Sequence, residues 1–414
     1  MIDTSTAQRL RRFRRSWNPR FLWPDMTGER FASAMAELAR VTAALVDRPA
    51  SRASIHDTAG DTRAISIAAF TAGIGPLLGY WMETGQLTAS DATAEALATH
   101  LDHGRRRAKR LQSELDVLLR RFDNEGVPVT LLKGMHTAWV YFPEPGTRPV
   151  ADIDLLIKRD ALPAINRVLG GLGFTRGGRV RERETWRAPG PQVPLSLELT
   201  HCDNPWEVDL HLTLDRRMVG GVTASLGPVR PSDLRQWQVG PVDVHVLAQP
   251  LLAAYLAVHV SNHFEMASLL RLVELAQMLR ADVQRATLDW TALAQRLNDS
   301  AATAFAFPSL ELVERLVPGT LDPAFHARLR EQTPPAVKQC VDRTDPASAM
   351  QLFQRSVEAK LMWLPSWQAR ARWFLRRLWP HDGDHLHSPM EAFRITLERV
   401  RRLVTGQMKW KRPS

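Results

Sequence analysis

Val129-Thr130-Leu131-Leu132-Lys133-Gly134, followed by Arg148-Pro149-Val150-Ala151-Asp152-Ile153-Asp154-Leu155-Leu156-Ile157, is the stretch that decides how this chain is read. Each half carries an apolar run of strand length. Strand residues two apart share a face and lie roughly 6–7 Å apart along the chain. Asp152 and Asp154 therefore point one way, while Ile153, Leu155 and Ile157 point the other way into a core. Two acids placed like this can grip two divalent cations about 3.5–4 Å apart, the arrangement used for in-line attack at phosphorus. Lys133-Gly134 ends the preceding strand with a cation and a bare backbone turn, both suited to phosphate. The combination argues for nucleotide chemistry.

Working outward, Val127–Leu132 reads as a strand and Met135–Tyr141 as a helix starting directly after Gly134, so its first amides would face a bound phosphate. A Pro- and Gly-rich loop, 142–147, leads to a strand over Ala151–Ile157. Asp160 is placed to cap a helix to about Leu169, stopped by Gly170, Gly171 and Gly173. Leu195–Thr200, Glu207–Leu214 and Val242–Val246 read as further strands. Upstream, Phe31–Val46 is helical, 50–63 is a polar loop, and Asp91–Phe122 is a long helix. That helix spaces Leu111, Leu115 and Leu118 opposite Arg105, Arg106, Lys109 and Arg110, and Gly126 ends it. The chain returns to helix after Leu251. The pattern is α+β: a small mixed sheet over 125–250, flanked by helical lobes at 30–124 and 251–414, with a basic arm at 1–29.

A third carboxylate should complete the acidic pair. Asp209 is the first choice, because Glu207, Asp209 and His211 alternate with Val208, Leu210 and Leu212. Glu198 and Asp243 are rivals that spacing does not separate. Hard oxygen ligands facing phosphates suit magnesium, and Asp152, Asp154 and Asp209 could hold two such ions. Lys133 could contact phosphate. Arg148, planar and permanently charged, could clamp phosphate or pair with one of the aspartates. His259 and His263 stand i, i+4, but no Glu follows His259, so the pair reads as packed or hydrogen-bonded helix surface.

Leu131-Leu132-Lys133-Gly134 and Arg148 through Leu156 resemble the L-L-K-G, then R-x-x-x-D-I-D-L-L pattern of a poorly characterised bacterial nucleotidyltransferase family. That family is a distant member of the DNA polymerase beta-like nucleotidyltransferase superfamily. The similarity takes in Gly75-Pro76-Leu77-Leu78, the charged helix before Gly126-Val127, Trp206 through His211, His259 through Leu279 and Asp289-Trp290, roughly residues 70–300. It implies a metal site at Asp152, Asp154 and Asp209 and a nucleotide site at Lys133, Gly134 and Arg148. Better-known superfamily members carry Gly-Ser before the phosphate-facing helix; here Met135 follows Gly134, so that hydroxyl is missing.

Composition sets the remaining bounds. The chain has 414 residues, 44% of them hydrophobic and 24% charged, enough for a large core. Cys202 and Cys340 are its two cysteines, which suggests no disulfide framework and a cytoplasmic setting. Met1-Ile2-Asp3-Thr4 lacks the apolar core of a secretory signal. Ala64–Met82 is uncharged and long enough to span a bilayer, but Gly73, Gly75, Pro76 and Gly79 interrupt it. Two buried helices joined at Gly75-Pro76 are expected there, and no transmembrane span. The formal net charge is +10. Much of the basic charge lies at the ends: Arg9, Arg11, Arg12, Arg14 and Arg15 with Phe13 and Trp17, then Arg370, Arg372, Arg376 and Arg377 among Trp363, Trp367, Trp373 and Trp379, then Lys409-Trp410-Lys411-Arg412. Such ends read first as solvated helix faces with Trp in a core; they also suit weak contact with a nucleic-acid strand or with an anionic membrane surface, the latter making the protein peripheral.

The expected activity is metal-dependent transfer of a nucleoside monophosphate from an NTP to a hydroxyl or phosphate on a small molecule, peptide or protein, with release of pyrophosphate. Transfer of a terminal phosphate and non-catalytic binding through the basic ends are the rival readings. The chain carries no P-loop, kinase signature, G-x-S-x-G or Cys-x-x-Cys cluster.

Overall fold

In the computed structural model, Thr27 opens the first helix, α1 (Gly28–Asp47), by accepting the Arg30 amide at 3.3 Å. The structure describes residues 23–378 apart from 24–25, 58–60, 181, 193–201, 219–220, 241, 263, 350–358, 360 and 365, together with residues 8 and 397. The uncharged segment folds as α2 (Thr62–Ala72) and α3 (Gly75–Glu83), bent by 118° at the break. Gly73, at φ +71°, ends the first helix, and Pro76 sits in the first turn of the second. Most of both helices is buried, and among the described residues no single helix is long and apolar enough to cross a membrane.

Ser90 caps α4 (Asp91–Asn124), whose 34 residues reach about 50 Å. It ends in a Schellman bond from the Val127 amide to the Phe122 carbonyl at 2.8 Å, with Gly126 at φ +64°. Its length lets it serve two cores. Near its start Leu97 packs with α1, α2, α3 and the C-terminal helices; from Leu111 to Phe122 it packs under the sheet. The helices that flank the sheet in sequence thus share one apolar core, and the sheet has another.

Seven strands make the main sheet among the described residues: β1 (Val129–Leu131), β2 (Asp152–Ile157), β3 (Thr175–Val180), β4 (Arg183–Arg187), β5 (Glu207–His211), β6 (Leu234–Val239) and β7 (Val242–Leu247), in the order β6-β7-β1-β2-β5-β4-β3. β7 and β1 run parallel, as do β2 and β5; the other neighbours are antiparallel. On one face Ile153, Leu155, Val208 and Leu210 pack with α4, α5 (Met135–Tyr141) and α6 (Leu162–Gly171). On the other, Leu156 packs against the helical core. The acidic face of β2 and β5 is therefore turned toward the helices.

The mixed sheet with helical flanks agrees with the sequence. The β3–β4 hairpin and β6 were not anticipated, and the strand expected at 195–200 lies outside the described residues. Asp160 does not cap a helix: it falls in a 3-10 turn, Arg159–Ala161, and α6 starts afterwards with Pro163 in its first turn, running on through Gly170 and Gly171. Both cysteines are free. His259 stacks on Tyr255 at 6.1 Å between ring centroids, while its companion His263 lies outside the described residues.

After the sheet come α7 (Leu251–Ser261), buried along almost its whole length, and α8 (Leu269–Gln284). Helices 290–299 and 303–316 pack behind them. One glycine pair controls how α4 meets the loop before β2. A Cβ on Gly104 would fall 2.3 Å from the Gly146 carbonyl oxygen. Gly104→Ala must therefore shift backbone, and a loss of about 1–3 kcal/mol in unfolding free energy is expected by denaturant titration.

Candidate active site

β1 runs antiparallel to β2, and β5 runs parallel to β2, so the end of the first strand meets the starts of the other two. Lys133-Gly134 follows β1, Asp152 and Asp154 open β2, and Glu207, Asp209 and His211 line β5. The register sets Asp154 opposite Asp209 and Asp152 opposite Glu207. Asp154 and Asp209 are each 1% exposed, so two carboxylates from neighbouring strands are buried side by side.

Each receives compensation from a different direction. Lys133 Nζ pairs with Asp154 Oδ2, and His211 Nε2 lies 2.8 Å from Asp154 Oδ1. Arg183 of β4 pairs with Asp209 Oδ2, and the Thr185 hydroxyl donates to Asp209 Oδ1 at 2.8 Å. Burial alone would push Asp154 up, but Lys133 and His211 outweigh it and hold the group well below the usual carboxylate range. Burial pulls Lys133 down, yet Asp152 and Asp154 outweigh that and raise it. Burial lowers His211 against the pull of Asp154, favouring the neutral ring. Asp152 differs from the others. Burial and the charge of Asp154 push it up, and its carboxylate makes no hydrogen bond or ion pair among the described residues.

Ligand atoms of Asp154, Asp209 and His211 lie within 4.8 Å of one another. With the unpartnered Asp152 beside them, the set offers mainly hard oxygen donors carrying more negative charge than Lys133 and Arg183 neutralise. That donor set fits a hard divalent cation.

The Lys133-Gly134 turn is tied to the helical part of the molecule. Gly134 has φ +78°, and a Cβ there would meet only ordinary contacts, so the backbone angle is what calls for glycine. Thr137 Oγ1 accepts the Gly134 amide at 3.1 Å and donates to Glu274 of α8. Glu274 also accepts one edge of Arg148, Nε on Oε1 and Nη2 on Oε2, each at 2.9 Å. The remaining Arg148 nitrogen, Nη1, donates to the Pro149 carbonyl at 3.2 Å. The partner of Arg148 is thus Glu274 and neither aspartate, because the loop before β2 turns the side chain toward α8. Contact with a phosphate would require it to leave that pair.

Arg107 organises the strand starts. It is 2% exposed, and burial lowers it to about 10. From α4 it donates to the carbonyls of Val150, Cys202, Asn204 and Pro205. Val150 lies two residues before Asp152, and Pro205 two before Glu207. One guanidinium therefore holds both segments that lead into the acidic strands.

A family model described as uncharacterised nucleotidyltransferase matches residues 59–318. The chain belongs to this family. No curated protein and no solved structure matches it. The nucleotidyltransferase match runs from the residues before α2 to those after helix 303–316, so it takes in the sheet, its acidic face and α8.

Within it, Lys133, Gly134, Asp152, Asp154 and Asp209 come together, and Arg148 turns away to Glu274. Asp243 is exposed near the start of β7; because β7 is parallel to β1, it lies at the opposite end of the sheet from the acids. Glu198 lies outside the described residues. Sequence reasoning missed Arg107, Arg183 and Glu274, and it assigned His211 no role. Arg107 was legible in principle, since it stands three residues after Gly104 and four before Leu111 on the buried stripe of α4. Glu274 was a lone acid in an otherwise apolar turn of helix.

The Arg148–Glu274 pair gives a direct test. Glu274→Ala leaves Arg148 buried without its carboxylate and should cost about 3–5 kcal/mol in thermal or urea unfolding. Arg148→Met/Glu274→Leu should recover much of that loss. Burial pushes Glu274 up, but Arg148 and Thr137 hold it below its ordinary 4.5. Its contribution is therefore fully present above pH 4.5 and fades as pH falls through the lower folded value. The double variant should lose this acid-limb dependence.

Proposed function

We propose that this chain moves a nucleoside monophosphate from an NTP to an acceptor hydroxyl or phosphate, releasing pyrophosphate, with divalent metal held by Asp152, Asp154 and Asp209. The observation that carries this reading is the Asp152 carboxylate, unpartnered beside two buried acids in a nucleotidyltransferase family member. When bound there, magnesium would polarise the attacking oxygen and neutralise the triphosphate.

The chain's own groups have distinct tasks in this proposal. Lys133 holds a permanent cation beside the glycine turn where the phosphates would rest. Asp209, oriented by Thr185, offers a carboxylate oxygen to the acceptor's proton. Arg183, its side chain 48% exposed, covers that oxygen, so an acceptor reaches Asp209 only once Arg183 leaves the pair. His211 fixes Asp154 from within. Arg148 and Glu274 hold the turn in place and do not touch the nucleotide.

Incubation with each alpha-labelled NTP, magnesium and candidate acceptors tests the reaction directly. Label transfer with pyrophosphate release should drop at least about 10³-fold in Asp152→Asn/Asp154→Asn, the scale of losing several kcal/mol of charge stabilisation. A folded protein that neither binds NTP with magnesium nor transfers label would sink the proposal. Movement of a gamma label instead would assign terminal phosphate transfer.

A second readout needs no acceptor. Asp152→Asn removes an unpartnered charge beside Asp154, so in metal-free buffer its melting temperature should exceed the wild type's. Magnesium should raise the wild-type value and leave the variant's almost unchanged.

A further inference from the structure

Two arginines near the acidic cluster have donors that nothing among the described residues uses. Arg271, on α8, stands three residues before Glu274 and so shares the helix face that meets the Lys133-Gly134 turn. Its side chain makes no hydrogen bond or ion pair among the described residues. The acids whose charge it feels are Glu274, already engaged by Arg148 and Thr137, and Asp152. Arg216 lies between β5 and β6. It donates through Nη2 to the Tyr255 hydroxyl at 2.7 Å, and its guanidinium carbon sits 5.3 Å from that ring's centroid. Its Nε is buried with no partner among the described residues.

Arg216 crowds both Arg271 and Lys133. The charge of Arg216 bears on Lys133, His211 and Arg271. Arg216 thus stands within reach of Lys133 and His211 on one side and of Arg271 on the other, and Arg271 lies beside Asp152. Arg183 stands on the other flank, with Asp209. Like charges gathered in a partly desolvated place, with donors unused, call for an anion from outside. Planar guanidinium forks match phosphate oxygens.

We infer that Arg271 and Arg216, with Lys133, form the cradle for the triphosphate chain of the nucleotide, the part expected of Arg148 from sequence. This inference rests on the proposed nucleotidyl transfer and names the residues that would hold its polyphosphate. It also gives the site a direction. The polyphosphate lies toward α8, and the acceptor approaches past the exposed Arg183.

Calorimetric titration of the full chain with sodium tripolyphosphate and with AMP, both in magnesium buffer, tests this. Arg271→Ala and Arg216→Ala should each weaken tripolyphosphate binding by about tenfold or more, the scale of a lost charge-assisted contact. AMP affinity should change less than about twofold by the same reasoning. Arg121→Ala, an exposed site on α4 that removes equal charge, should leave both unchanged. Arg271→Lys keeps the charge without the fork and should lose several-fold; it serves if an alanine variant melts early. Tripolyphosphate affinity that survives both alanine changes, or falls equally with AMP, overturns the inference, as does a wild-type chain that binds no tripolyphosphate. Label transfer reports separately on the parent reading. Active protein with unaltered tripolyphosphate binding in the variants discards the cradle alone, and a cradle without label transfer discards the reaction alone.

Discussion

Asp154 and Asp209 occupy paired positions on adjacent parallel strands, and both are buried. Two carboxylates there repel strongly unless each is met by a cation or donor, because the surrounding medium screens little. Much of the local architecture answers that constraint. Lys133 closes one strand against Asp154, His211 folds back from two residues along β5, and Arg183 and Thr185 reach Asp209 from the next strand over. Of the three acids, only Asp152 is left without a partner among the described residues. Among the acids, that is the point where an incoming cation gains most.

Holding such a cluster requires that the strand starts be placed accurately, and the helices do this. Arg107 spends its guanidinium on main-chain carbonyls ahead of β2 and β5, so α4 sets both segments at once. Glu274 gathers Arg148 and Thr137, locking the loop before β2 and the glycine turn onto α8. A buried ion pair of this kind adds little net stability, because desolvation offsets much of the attraction. Its consequence is geometric: movement of α8 relative to the sheet would be felt at the Lys133-Gly134 turn. Because α4 contributes to both apolar cores, the two halves of the molecule are also joined mechanically along its length.

The parts legible in the sequence were those with a strong local period. β1, β2, β5 and β7 announced themselves by alternation or by short apolar runs, and the long helix by its leucine stripe and terminal glycine. The β3–β4 hairpin did not. Arg176, Arg183, Glu184 and Arg187 make it read as solvated loop, although Arg176 pairs with Glu184 and Arg183 with Asp209. Arg107 was masked by the basic residues around it, since a charge on the buried stripe looks like its exposed neighbours until the carbonyls it meets are known. Arg148 was expected to clamp phosphate or pair with one of the aspartates, but its carboxylate is supplied by a helix more than a hundred residues away.

From the sequence alone came the α+β class, the paired acids on one strand face, the glycine turn after a lysine, and membership of a nucleotidyltransferase family. These depend on side-chain periodicity and backbone preference, which act over a few residues and are written locally. The tertiary structure decided that Asp209 faces Asp154, that Asp243 stands at the opposite end of the sheet, that Arg148 belongs to Glu274, and that Arg216 and Arg271 keep donors in reserve. Those outcomes depend on strand order and on which charges meet across long separations. Burial and charge balance over the whole chain select them, and no short window of sequence contains that balance.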